Sequence, residues 1–178
     1  VLQWREQRPD IIYIFSKDIL RHRRAQKEDA VWLKKGEEYK DETLSVRAFG
    51  STDVGVSFLL QASGKKIFHA GDLNNWHWMD ESTEAQWKGA EKNFLHELDD
   101  LYAYTPEVDV AMFPVDPRLG KEYMRGAGQF VTKIKTHIFV PMHFTPEYAK
   151  ANAFRDFAEA HGVRFVSLTH RGQKIEIE

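Results

Sequence analysis

A chain of 178 residues, 42% apolar and 29% charged, has room for one domain with its own core and is too apolar to be disordered. Its net charge of −2, with basic residues scattered apart from Arg21-His22-Arg23-Arg24, offers no surface for nucleic acid, and that cluster is expected to be a solvated helix face. The absence of cysteine removes disulfides, thiolate ligands and a cysteine nucleophile together, so any metal must be held by histidine and carboxylate; with no membrane-length apolar run and no visible leader, a cytoplasmic address and no membrane partner are expected.

Val1 to Gln7 reads as the tail of a helix stopped by Arg8-Pro9-Asp10, because proline disfavours helical geometry in the residue before it. A start at Val1, inside an amphipathic segment and without Met, is expected to be a truncated one. Asp10 to Phe15 reads as a buried strand, and Ser16 as the cap of a helix to about Gln26. Short strands are expected at Ala30 to Lys34, Glu37 to Lys40 and Thr43 to Phe49, forming an antiparallel meander. Gly50-Ser51-Thr52-Asp53 interrupts it, and Val54 to Gln61 with Lys65 to Ala70 form a hairpin across Ala62-Ser63-Gly64.

That hairpin ends in Gly71-Asp72 and a loop, Leu73-Asn74-Asn75-Trp76-His77-Trp78. A rigid strand would carry Asp72 to an exposed rim, although an aspartate in this place is in general a turn former or helix cap. Ser82 caps a long helix to about Leu101, whose Trp87 and Phe94 are assigned to the core. Asp109 to Val115 is a central strand stopped by prolines, and Leu119 to Lys133 a helix weakened by three glycines, with its first half a loop. His137 to Met142 is a buried strand ending in Pro141-Met142-His143, Glu147 to His161 a helix, and Val163 to Leu168 and Lys174 to Ile177 are strands. No linker divides the chain, so residues 1–178 form a single α/β (α+β) domain with sheets covered by helices.

Asp72, His143 and Asp53 are delivered by three different strand ends, and such donors can converge on one metal, imidazole suiting zinc, iron or manganese. On its own residues His143 reads first as a hydrogen-bonded histidine beside a proline-rich turn. The ordered segments Gly50-Ser51-Thr52-Asp53-Val54-Gly55-Val56-Ser57-Phe58, Ile67-Phe68-His69-Ala70-Gly71-Asp72 and Phe139-Val140-Pro141-Met142-His143-Phe144 resemble the later motifs of the metallo-beta-lactamase superfamily. The resemblance runs from Asp10 to the C-terminus. It implies a four-layer αββα sandwich, N-terminally incomplete here, with one or two divalent metals at the sheet edge, zinc first and manganese or iron as alternatives. It also implies that Asp72 bridges the metals and that His143 completes the second one.

Two departures qualify it. The HxHxDH motif that supplies most ligands of the first metal is absent, His22 being the only early histidine. Where many members carry a ligand histidine this chain has Ser51-Thr52-Asp53, and Asp53 either coordinates as an oxygen donor or makes a turn. The resemblance implies a metal-activated water attacking an ester, lactone, amide or phosphoester of a small-molecule substrate. Asp72 and His77 would be catalytic, Asn74, Asn75, Trp76 and Trp78 would line the substrate mouth, and His69 would stand behind the metal or in the core. This chain alone is expected to be impaired, and to form homo-oligomers or associate with the missing N-terminal segment. The alternative is a non-catalytic binding or structural relative that has lost its metal.

Overall fold

The computed structural model of the chain describes residues 2–22 and 26–177, without the side chains at 2, 3, 5, 21 and 22. The side chains of Arg21 and His22, and Arg23 and Arg24 altogether, assigned above to a helix face, therefore lie outside what is described. Helix α1 (Leu2–Gln7) leads to β1 (Ile14–Ser16), and β1 pairs in parallel with β2 (Val31–Leu33) as a two-stranded sheet. Between them the expected helix is a 3-10 segment, Lys17–His22. The Ser16 hydroxyl donates to the Asp18 carboxylate and does not cap the first turn.

Of the expected meander only the second and third strands pair with each other, as β3 (Glu38–Lys40) and β4 (Leu44–Phe49), the first having gone to the parallel pair with β1; the antiparallel run continues through the hairpin of β5 (Ser57–Ala62) and β6 (Lys65–His69). At its hairpin, Ser63 and Gly64 take positive φ of 49° and 74°, the turn hand that matches strand twist. Helix α2 (Glu84–Tyr104) starts one residue later than expected, the Gln86 side chain accepting the Thr83 N–H at 2.9 Å. It crosses to β7 (Glu107–Pro114), which lies parallel to β6; α3 (Arg125–Lys133) crosses to β8 (Lys135–Met142), and α4 (Tyr148–Asn152) with α5 (Arg155–Ala160) to β9 (Arg164–Phe165). One seven-stranded sheet results, in the order β3-β4-β5-β6-β7-β8-β9.

The C-terminal strands are shorter than the apolar runs suggest. Asn152 takes both backbone groups of Leu168, at 2.8 and 3.1 Å, while Gln173 accepts from the Thr169 N–H and donates to the Ser167 carbonyl. These side-chain amides replace a neighbouring strand, and residues 174–177 pair with none among the described residues.

Alternation along the strands builds two different faces. Phe68, Phe113 and Phe139 point to the helices and pack with Phe94 and Leu98 of α2, Phe130 of α3 and Phe154 before α5. Trp87, expected beside them, is only partly buried, under Lys88. On the opposite face Val46 and Ala48 meet Ile14, Val31 and Leu33 of the small sheet. Further along that face Val110, Ile138, Val140 and Val166 form a separate cluster. Among the described residues no helix is long and apolar enough to cross a membrane.

Candidate metal centre

Because β6, β7 and β8 are parallel, their carboxyl ends share one edge of the sheet, the place where open α/β sheets gather ligands. Asp72 follows β6, Asp116 follows β7 and His143 follows β8. The Val115 N–H bonds the Met142 carbonyl at 3.0 Å and the Ala70 N–H that of Met112 at 2.9 Å, so the ladder continues until just before each polar residue. Gly71 then turns the chain with φ 58°, and a Cβ there would lie 2.9 Å from the Val56 carbonyl oxygen.

His143 is the hub. Its Nε2 lies 3.3 Å from Asp72 Oδ1 and its Nδ1 2.9 Å from Asp116 Oδ2. The Asp116 carboxylate is fully buried and also receives the Arg118 backbone N–H, Nε and Nη2. Arg118 Nη2 reaches His143 Nδ1 only at 3.4 Å, so the shorter contact places the Nδ1 proton on the Asp116 side. Burial pushes the Asp116 carboxyl up, but hydrogen bonds from the Arg118 side chain and backbone, and from His143, outweigh it and hold the group below the usual carboxylate range. With Nδ1 donating to an ionised carboxylate, Nε2 is the ring nitrogen that faces Asp72. A histidine held in this way by a carboxylate is oriented for metal binding.

The Trp-rich loop splits into two environments. Trp76 sits edge-on to His143 with ring centres 5.3 Å apart, stacks on Trp78, and donates from Nε1 to the Asp72 carbonyl at 2.8 Å. Both tryptophans are partly exposed at the rim. Asn74, Asn75 and His77 are instead buried. Asn75 Nδ2 donates to Gln129 Oε1 at 2.9 Å, and the Asn74 backbone is held by the Thr52 hydroxyl. His77 Nε2 faces the Glu122 carbonyl at 3.1 Å while its Nδ1 accepts the Met79 N–H, so both ring nitrogens are occupied. This packing corrects the expectation that Asn74 and Asn75 line an open mouth and that His77 acts in it: all three are buried, with Asn74 Nδ2 and Asn75 Oδ1 left without a hydrogen-bond partner among the described residues.

Asp53 is exposed, and its N–H bonds Ser51 Oγ at 3.3 Å within a local turn. Thr52, not Asp53, ties this loop to the centre. His69 is exposed, and its Nδ1 accepts the Gly71 N–H at 3.0 Å. Among the described residues no three histidines or carboxylates come together as a metal-holding group. Asp116 and Arg118 were not singled out from the sequence, although Phe113-Pro114-Val115-Asp116 repeats the pattern of a buried strand followed by aspartate seen at Asp72.

No family model matches the sequence, nor does any curated protein. Solved structures do match. A protein from Parabacteroides distasonis named as a metal-dependent hydrolase superposes with a TM-score of 0.60 at 15% identity, over 88% of this chain and 64% of its own. Igni18, a metallo hydrolase from Ignicoccus hospitalis, gives 0.57 at 16% identity over 94% and 69%, and CmlA, a diiron beta-hydroxylase from Streptomyces venezuelae, gives 0.52 at 12% over 85% and 35%. The chain thus spans a little under two thirds of the Parabacteroides protein. At such identities the likeness speaks to architecture alone, and it agrees with the helix, sheet and sheet layers described above, an α/β arrangement consistent with the αββα sandwich expected from the sequence.

Proposed function

We propose that this chain contributes the strand-end part of a divalent-metal hydrolase site, with Asp72 and His143 as ligands and Asp116 as the group that orients His143. The observation that carries the reading is the Asp116–His143–Asp72 line, in which a buried carboxylate holds one ring nitrogen and leaves the other facing a second, partly exposed carboxylate. A metal bound there, zinc first with manganese or iron as alternatives, would lower the pKa of a bound water and polarise an ester, lactone, amide or phosphoester. The chain's own residues do the rest: Asp116 and Arg118 fix the imidazole, Gly71 sets the turn that presents Asp72, and Trp76 and Trp78 wall the rim.

Asp72 and His143 suit such an ion in kind but not in number, since zinc sites take three or four protein ligands. The remaining donors are proposed to come from a histidine-rich segment of HxHxDH type or from a second copy of the chain. The test is a zinc and manganese titration by calorimetry, with and without a peptide carrying that motif. The expected result is weak uptake by the chain alone, lost in Asp72→Ala and in His143→Ala, and tight uptake with ester or phosphodiester hydrolysis once the peptide is added. Uptake that ignores both substitutions would overturn the reading. A non-catalytic relative is the second reading, favoured by the lack of a three-residue metal group among the described residues; it requires that no hydrolysis accompany metal uptake under any of these conditions.

A further inference from the structure

The helix face of the sheet carries a polar network that the chemistry above does not use. Glu91 of α2 lies between Arg125 and Gln129, which stand one turn apart on α3 and so reach the same point. Arg125 Nε donates to Glu91 Oε1 at 2.7 Å, and the Gln129 amide donates to the same oxygen. Asn75 Nδ2 joins them, donating to Gln129 Oε1 at 2.9 Å and to Glu91 Oε1 at 3.3 Å. The bonds from Arg125 and Gln129 outweigh partial burial and hold the Glu91 carboxyl below its usual range, so it is ionised at neutral pH.

Asn75 is where this network meets the candidate centre. It stands three residues after Asp72 in a turn closed on itself: the Trp76 N–H bonds the Asn74 carbonyl at 3.1 Å, and the Trp76 indole donates to the Asp72 carbonyl at 2.8 Å. Leu73 drops into the helix-side core. Gly126 of α3 makes room for the turn, since a Cβ there would collide with Asn74 Oδ1 and lie 3.0 Å from the Asn75 nitrogen. Asn74 Nδ2 and Asn75 Oδ1 are buried without a partner among the described residues. Such atoms cost stability and folds keep few of them, so a turn with two side by side must be held by its other bonds, of which Asn75 makes the charge-assisted one to Glu91.

We infer that Glu91 and Asn75 are positioning residues for the candidate centre: the carboxylate that Arg125 and Gln129 hold between α2 and α3 fixes the Asn75 amide, and with it the turn that carries Asp72 and Trp76. That this turn serves a metal rests on the hydrolase reading above; that the network sets the turn does not. A network serving helix packing alone would join α2 to α3 and stop there, whereas Glu91 and Gln129 both also take the amide of a loop residue next to the rim.

The test uses the whole chain. In the metal-free protein, hydrogen exchange of the Trp76 indole N–H reports whether the turn is closed, and the Trp32 indole, which donates to the Lys27 carbonyl elsewhere in the fold, is the control. Asn75→Asp sets a carboxylate against Glu91 and should speed Trp76 exchange about tenfold or more while leaving Trp32 unchanged. Asn75→Asp combined with Glu91→Gln exchanges carboxylate and amide across the contact and should restore slow exchange, a rescue that general destabilisation would not give. Arg125→Gln, at the 36% exposed end of the network, should speed Trp76 exchange with little change in melting temperature, and it carries the test if Asn75→Asp does not fold. Zinc uptake, titrated with the HxHxDH peptide, should fall about tenfold in both single variants and return in the double one. Unchanged Trp76 exchange in the single variants, no recovery in the double variant, or loosened exchange with unaltered zinc affinity would overturn the inference. Loosened and rescued exchange in a chain that takes up no zinc, with or without the peptide, would keep the network's hold on the turn and remove the hydrolase reading.

Discussion

Two histidines in this chain show how little the residue type says without its partners. His143 gives one nitrogen to a buried carboxylate and keeps the other facing Asp72, whereas His77 spends both on the backbone at Glu122 and Met79. Asp116→Asn should therefore lower metal uptake on the order of 10–100-fold, by loosening the ring and not by removing a ligand. It should also cost about 1–3 kcal/mol of stability, since a buried charged hydrogen-bond acceptor is lost. The Asp116 carboxyl is held below its usual range, so its contribution is present above the unfolded pKa and disappears as pH falls through the folded one. Asp72→Ala, at a carboxylate that is 38% exposed, should remove uptake but leave stability within about 0.5 kcal/mol. Melting curves and zinc titrations on the two variants separate the roles, and equal destabilisation would refute the assignment. His77→Ala should destabilise by about 2–4 kcal/mol and leave the affinity of the centre for metal unchanged in whatever fraction stays folded. At this scale the sequence exposed Asp72 and His143, because both end buried strands. It hid Asp116, whose neighbouring prolines read as a simple stop, and it hid the inward turn of Asn74 and Asn75, because their partners Gln129 and Thr52 lie far along the chain.

The elements were readable where local chemistry decides them and unreadable where distant side chains do. The β3–β4 turn is of the first kind. Asp41 accepts the N–H groups of Thr43 and Leu44, the Thr43 hydroxyl and the Tyr39 hydroxyl, and these bonds lower its pKa from 3.8 to about 2. A depressed carboxylate stabilises the turn above its unfolded pKa and stops doing so as pH falls toward about 2. The Thr43 and Leu44 amide resonances should titrate with a midpoint near 2, and a midpoint near 4 would show the turn to be open. Gly71 belongs to the same class. Gly71→Ala would place a Cβ 2.9 Å from the Val56 carbonyl oxygen at a φ of 58°, so it should cost about 1–2 kcal/mol or more and shift the Asp72 resonances, as a thermal melt and an NMR spectrum would show. The C-terminal segment is of the second kind. Its apolar runs at 163–168 and 174–177 predict strands, but Asn152 and Gln173 satisfy the backbone there, and no local signal announces an amide reaching across from another helix.

For the molecule as a whole, the near-continuous apolar hairpin strands predict a place between layers unless one face is wet, and the two faces of the sheet are indeed covered unequally. On the helix side Phe113 lies 4.6 Å from Phe130 and Phe68 lies 5.6 Å from Phe130, ring centre to ring centre, all three without solvent exposure. On the other side Val140 lines an open groove beside Leu168 and Ile175. Cavity cost depends on how completely neighbours surround the deleted atoms and how little they can collapse. Phe130→Ala should therefore lose about 3–5 kcal/mol, because Phe68 and Phe113 both lose the ring they pack on. Val140→Ala on the groove face should lose less than about 1.5 kcal/mol, since water and the mobile ends of its neighbours fill the space. Denaturant unfolding of both variants, with the slope unchanged from the parent, is the measurement. If Val140→Ala proves as costly as Phe130→Ala, this face of the sheet is covered in solution as completely as the helix face. The difference between the two losses thus reports how completely the same sheet is covered on each of its two sides.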